Sequence, residues 1–249
     1  MKRTVEAEIL DELPPDDPSA IGSRRDLERI NWWMGNAGKL ANALSSAFEV
    51  QAPRTIVELG AGDGNLMLRV ASRLSLKWRS VQVILVDRLK IVRPDTAQAF
   101  KDLGWEVENV QADALEWLQR KPDWRFDVIA ANLFLHHFSE PRLRELLRDA
   151  ANRTQVFLAT EPPRGRWPLA FCGMLGLIGC NRVTRHDAVL SVRAGFTGQE
   201  LSGLWPGDGS WILKERRAGI FSHLFVARKR EQPLPMDSMN ASISSARGL

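Results

Sequence analysis

The segment Glu58-Leu59-Gly60-Ala61-Gly62-Asp63-Gly64 sets an acid directly before a glycine-rich turn. Glycine lets the backbone turn tightly and approach a ligand closely. The free N–H groups of a helix starting there then face that ligand. Asp87 ends a second apolar run, where a carboxylate can accept hydrogen bonds from both hydroxyls of a ribose. Asp113 with the N–H of Ala114 offers the acceptor and donor that an adenine edge needs. Asp113 also suits the N-cap of a helix over 114–120, and the two roles are compatible. Asn132, Leu133, His136 and His137 leave the tip of another strand, and Glu161 ends the next. A histidine of ordinary pKa, ~6.5, can take the proton of a phenol of pKa ~10 as its oxygen attacks. His136 is the first candidate for such a base and His137 the second; consecutive residues leaving a strand point different ways, so only one of them should face a pocket. A histidine packed to hold backbone in place is the competing reading for each. Trp33, Glu161 and His186 are the candidates to meet a substrate.

These side chains are far apart in sequence, so the elements must gather them. Short apolar runs at 55–59, 81–86, 105–111, 126–131 and 156–160 alternate with helical periodicity such as Leu66, Val70 and Leu74. That alternation predicts an α/β fold with a doubly wound, Rossmann-like, mostly parallel sheet. Its strand tips at one edge surround a crevice, where Glu58, Asp87, Asp113, Asn132, His136, His137 and Glu161 should converge. Ahead of the sheet, residues 1–20, with Pro14, Pro15, Pro18 and several acids, read as a loose arm. Residues 21–52 read as a helical cover, with a helix from about Ser23. Adjacent Trp32 and Trp33 cannot share one helix face, so either one packs on the sheet and the other faces a pocket, or both pack against the domain. Residues 162–196 form an apolar insertion, either a substrate cover or a helical hairpin filling its own core. Trp211–Arg217 and Ile220–Arg228 flank Ala218-Gly219 as a hairpin with a two-residue turn. Residues 231–249 lack periodicity and read as disordered. Residues 21–230 thus make one domain.

The chain has 249 residues, is 44% hydrophobic and carries a formal charge of +4. That is enough apolar material for one large core. The mild basic excess reads as solvated surface charge and argues against a nucleic-acid partner. Cys172 and Cys180 lack metal-ligand spacing and read as free thiols in a reducing compartment, so the cytoplasm is expected. The longest apolar run, Trp167 to Cys180, is too short to span a bilayer, though transient membrane contact fits its character. Spacing does not decide between monomer and homodimer.

The glycines at 60, 62 and 64 bring the third one residue early for a dinucleotide-binding turn. No Lys-Ser or Lys-Thr follows them, which excludes a P-loop. The segment resembles the first motif of the class I S-adenosylmethionine-dependent methyltransferases, an acid followed by x-G-x-G-x-G. The resemblance extends over roughly residues 53 to 229 and implies a seven-stranded sheet ending in a reversed hairpin. It implies S-adenosylmethionine as cofactor, S-adenosylhomocysteine as product and no metal. It assigns the cofactor to Glu58, Gly60, Ala61, Gly62, Gly64, Asp87, Arg88, Asp113, Ala114, Asn132 and Leu133. Asn132-Leu133-Phe134-Leu135 departs from the Asn- or Asp-Pro-Pro-aromatic tip of enzymes that methylate nucleic-acid bases. The expected reaction is therefore O-methylation of a small aromatic or lipophilic acceptor, such as a phenol, quinone precursor or polyketide. The alternatives are a binding or regulatory protein that keeps the fold without catalysis, and an RNA methyltransferase.

Overall fold

The apolar runs pair as one sheet. The computed structural model describes residues 1–120 and 122–230. Its strands are β1 (Thr55–Leu59), β2 (Gln82–Asp87), β3 (Glu106–Gln111), β4 (Phe126–Asn132), β5 (Thr154–Glu161), β6 (Trp211–Arg217) and β7 (His223–Lys229), in the order β3-β2-β1-β4-β5-β7-β6. β1 to β5 run parallel, and β7 is antiparallel to both β5 and β6. The strand order reverses between β1 and β4, which opens a crevice at their carboxyl ends. Register brings the tips level there: Leu59 lies opposite Val86 and Ala131, and Asn132 opposite Thr160.

The helices are α1 (Ile9–Glu12), α2 (Pro18–Met34), α3 (Asn36–Ala47), α4 (Asn65–Leu74), α5 (Pro94–Asp102), α6 (Ala114–Arg120), α7 (Glu140–Ala151), α8 (Arg166–Met174), α9 (Arg182–Ala194) and α10 (Glu200–Leu204), with a single 3-10 turn at Leu135–His137. α3, α4 and α5 cover one face of the sheet, and α6, α7 and α10 the other. In α4 the buried residues Met67, Val70, Ala71 and Leu74 recur every three or four positions and form one apolar stripe. β4 is buried at every position except Asp127, as its nearly unbroken apolar run requires.

Several expectations change. The helix expected from Ser23 starts at Pro18, because the Asp17 carboxylate accepts the N–H groups of Ser19 at 2.7 Å and Ala20 at 3.2 Å. It stops at Gly35, whose φ of 65° suits glycine. Trp32 and Trp33 are both exposed, at 64% and 62%, so neither packs on the sheet. The hairpin does not close in two residues: β7 begins at His223, and Ala218 N–H donates to Ser222 O at 2.8 Å across the loop. The insertion is the pair α8 and α9. The tail over 231–249 lies outside the described residues.

The largest correction concerns the arm, which is bound rather than loose. The Arg3 guanidinium donates to Ala194 O at 2.7 Å, Phe138 O at 2.9 Å and His136 O at 3.2 Å, and stacks over Phe196. Ile9 and Leu10 N–H donate to the two oxygens of Asp187 at 3.0 and 2.9 Å. Residues 1–13 therefore form a strap across the tips of β4 and β5.

A candidate cofactor and acceptor site

The glycine corner takes three successive left-handed turns, with φ of 69° at Gly60, 56° at Gly62 and 76° at Gly64. The three glycines have different tasks. A Cβ on Gly60 would overlap the Phe134 ring, and one on Gly64 would come within 2.7 Å of Leu85. One on Gly62 would meet nothing within 4 Å. Gly62 therefore faces open space, as a backbone cradle for a ligand must. Its N–H donates to Asp87 Oδ2 at 2.8 Å, while Asp87 Oδ1 accepts Leu89 N–H at 2.8 Å. These bonds fix the Asp87 carboxylate at the β2 tip with lone pairs left for hydroxyl donors.

A cavity of about 950 Å³ opens from this corner. Of the expected residues it is lined by Glu58, Gly60, Ala61, Gly62 and Asp87 at one end, and by Asn132, Leu133, His136, His137 and Trp33 further on. Gly64, Arg88, Asp113, Ala114, Glu161 and His186 do not line it. Asp113 serves as a helix cap, its Oδ1 accepting the N–H groups of Leu115 at 3.0 Å and Glu116 at 3.2 Å. The Arg88 side chain is exposed and reaches toward Asp11 at 4.0 Å. The side chain of His186 is 52% exposed and contacts Asp187 instead. Glu161 is fully buried, where it accepts the N–H groups of Phe134 at 3.0 Å and Leu135 at 2.8 Å. It builds the loop after β4 from within rather than meeting a substrate.

The glycine end is acidic. Burial, with the charges of Asp63 and Asp87 beside it, pushes the Glu58 carboxyl well above its ordinary pKa, and its buried Oε2 has no hydrogen-bond partner. Glu28 of α2 reaches over the corner. Its hydrogen bond with Asp63, then its burial, raise it to about 7, and Asn65 donates to both carboxyls. Crowded carboxyls and an unpaired buried oxygen favour a cationic ligand. A sulfonium that also carries an ammonium group fits that end. A polar tie joins it to the cover: Asn36 donates to Asn132 Oδ1 at 2.8 Å, Thr160 Oγ1 donates there at 2.7 Å, and Asn132 donates to Asn31 at 3.2 Å.

At the other end stand the two histidines. His136 Nδ1 meets Glu161 Oε2 at 2.7 Å, and Nε2 lies 3.4 Å from Glu8 Oε1 of the strap. Burial opposes the charge on this imidazole, yet the bonds and charges of Glu161 and Glu8 outweigh it and raise its pKa to about 9. Both ring nitrogens of His136 are thus engaged by carboxylates, an arrangement that weighs against its expected part as the base. His137 Nδ1 pairs with Asp11 Oδ2 at 3.2 Å. Ser191 of α9 hydrogen-bonds Glu8 Oε1. Burial pushes Glu8 up, but His136, His137 and Ser191 together hold it below the ordinary carboxylate value. Glu8, Asp11, Glu28, Asn31 and Asn36 escaped sequence reasoning, because each lies in a stretch that reads only as arm or cover. Ligand-type atoms of Glu8, His136 and His137 lie within 4.8 Å of one another, close enough among the described residues to receive a cation.

A family model described as a methyltransferase domain matches residues 56–155, from β1 into β5. Residues 56–155 are thus similar to a methyltransferase domain. Domains of that description use S-adenosylmethionine, whose positive sulfonium and ammonium suit an acidic end such as this one. A search of curated proteins finds no match. Among solved structures, the methyltransferase domain and its additions resemble an O-methyltransferase family protein from Burkholderia thailandensis, with TM-score 0.58 and 18% identity, over 88% of this chain and 64% of that one. The plantazolicin methyltransferase BpumL in complex with SAH gives TM-score 0.58 and 12% identity, over 86% of this chain and 92% of that one. The mitomycin 7-O-methyltransferase MmcR gives 0.54 and 18%, over 89% of this chain and 60% of that one. The chain thus spans less than two thirds of the first and third of these. At such identities the likeness is one of fold. No helix among the described residues is long and apolar enough to cross a membrane.

Proposed function

We propose that the protein transfers the methyl group of S-adenosylmethionine to an oxygen of a small, largely apolar aromatic or lipophilic acceptor. One observation carries this reading: a single cavity runs from the open backbone at Gly62 to the charged cluster at Glu8 and His136. Its volume is near the upper end of the ~300–1,000 Å³ usual for small-molecule sites, which leaves room for a second ligand beside the cofactor. Between the two ends the wall is apolar, with Phe171, Cys172 and Leu175 from α8 and its end, Val192 from α9, and Phe221 from the β6–β7 loop. Such a wall excludes water and suits a ring or alkyl chain rather than a nucleotide. A mitomycin 7-O-methyltransferase among the structural neighbours is consistent with transfer to an oxygen.

The cofactor would bring a methyl group on a positive sulfur, a leaving group that departs neutral. Gly62 and Asp87 would hold its adenosine half, and the acids around Glu58 and Asp63 its positive half. Asn132, tied to α3 and β5, fixes the turn between the two ligands. Leu133, with φ of 49°, carries that turn. Alignment of the attacking oxygen is then the protein's main contribution.

Two measurements test this reading. Calorimetric titration with S-adenosylhomocysteine should show one site, abolished in Asp87→Ala. Labelled methyl should pass from the cofactor into members of a panel of phenols, resorcinols and quinols, with apolar substituents improving KM. Tight cofactor binding with no transfer to any of these would favour the binding-protein alternative.

A further inference from the structure

On the reading just given, the geometry points to Glu8 of the N-terminal strap as the catalytic base that receives the acceptor's hydroxyl proton. His136 is then a positioning residue that holds Glu8 in place.

Three observations lead there. Glu8 lines the cavity, whereas Glu161 is sealed beneath the loop. Both contacts to Glu8, from Ser191 at 2.5 Å and His136 at 3.4 Å, fall on Oε1, so Oε2 is the oxygen left to face a ligand. The strap is held on both sides of Glu8, by Arg3 on the carbonyls of 136, 138 and 194 and by Asp187 on the amides of Ile9 and Leu10. A carboxylate brought from so far along the chain and clamped at both flanks is pre-organised.

The charges around it agree. Facing the cluster are Glu8, Asp11 and Arg3 from the strap, Glu161 from β5, His137 from the same turn, and Asp187 and Ser191 from α9. His136 stands between Glu8 and Glu161 with a ring nitrogen turned to each, so it offers the acceptor no free nitrogen and leaves Glu8 as the group facing the cavity. A carboxylate is a weak base toward a resting phenol. As the acceptor oxygen bonds to the methyl carbon, however, its proton becomes that of an oxonium, far more acidic than a carboxylic acid. The acceptor O–C bond forms, the C–S bond breaks with its electron pair going to sulfur, and the hydroxyl proton passes to Glu8, which returns it to solvent after product release. Proton transfer to a placed side chain is worth roughly 10²–10⁴-fold in rate.

The test compares wild type, Glu8→Gln and Asp187→Asn on two acceptors: para-pentylphenol, un-ionised at neutral pH, and para-nitrophenol, largely ionised at mildly alkaline pH. Transfer by the wild type to either phenol establishes the activity itself; transfer to neither sinks the function above without bearing on the strap. Glu8→Gln should lower kcat on the un-ionised phenol by about 10²-fold or more, with S-adenosylhomocysteine affinity unchanged. On the ionised phenol, which has no proton to give, the loss should vanish or reverse, because the carboxylate that repels a phenolate is gone. Asp187→Asn should fall between, and NMR titration of the His136 ring should show its pKa dropping in Glu8→Gln. An equal loss on both phenols would make Glu8 merely structural and overturn the assignment, as would full activity of Glu8→Gln on the un-ionised one. Activity lost to a chelator and restored by a divalent ion would also overturn it, by making Glu8 a metal ligand.

Discussion

The two ends of the cavity are built in opposite ways. The cofactor end is one continuous stretch, β1 through the glycine corner into α4, closed by Asp87 twenty-odd residues on. The acceptor end is assembled from the strap, the β4 turn, the β5 tip, α8 and α9. The first rests on backbone conformation, the second on side-chain pairings between distant elements. Local conformation leaves residue-type signatures, since only glycine tolerates repeated positive φ. Pairings such as Glu8 with His136 leave none, because acids and histidines are ordinary at any surface. The contrast also bears on durability: a backbone corner fails as a unit, while a pairing can be lost with the fold intact.

Each comparison can be broken by a measurement. The largest effect should come from Gly60→Ala. The new Cβ overlaps Phe134 and φ is 69°, so neither backbone nor ring can yield cheaply. We expect a loss of about 3 kcal/mol or more in urea unfolding and no detectable cofactor heat, with both ends of the cavity affected. Asp187→Ala should act on the acceptor end alone. It removes the carboxylate that takes two strap amides, so global stability should fall by about 1–2 kcal/mol. Amide exchange at Ile9 and Leu10 should accelerate while cofactor affinity stays unchanged. Weakened cofactor binding in this variant would show that the two ends are one cooperative unit.

A third test is pH. The His136 pKa is about 9 in the folded chain, against ~6.5 when unfolded. The folded chain therefore binds the proton more tightly, and this contribution to stability is full below ~6.5 and fades as pH rises through about 9. Glu8 has the opposite sign: its pKa is lowered, so its contribution is present above the ordinary carboxylate pKa and fades in acid. Melting temperature should decline on the alkaline side in the wild type and do so less in His136→Asn. A flat alkaline limb in the wild type would contradict the engaged imidazolium.

The strand and helix alternation, the reversed terminal hairpin, the carboxylate at the β2 tip and the glycine corner were all legible in the chain. So was the convergence of Glu58, Asp87, Asn132, His136 and His137. The capping role of Asp113 was legible, and its Oδ1 holds the N–H groups of Leu115 and Glu116. Trp32 and Trp33 were misjudged because a helix at the rim of a cavity can leave both exposed. The arm was misread because proline and acid content describe solubility, not whether Arg3 and Asp187 find each other.

By itself the sequence determined the sheet, its crevice and the chemistry of the cofactor end, because periodicity and glycine spacing act over a few residues. The tertiary structure alone decided which carboxylate faces the acceptor and which histidine nitrogens are free. Those depend on contacts between separate elements, such as Glu8 with Ser191, 183 positions apart, and no local preference records them.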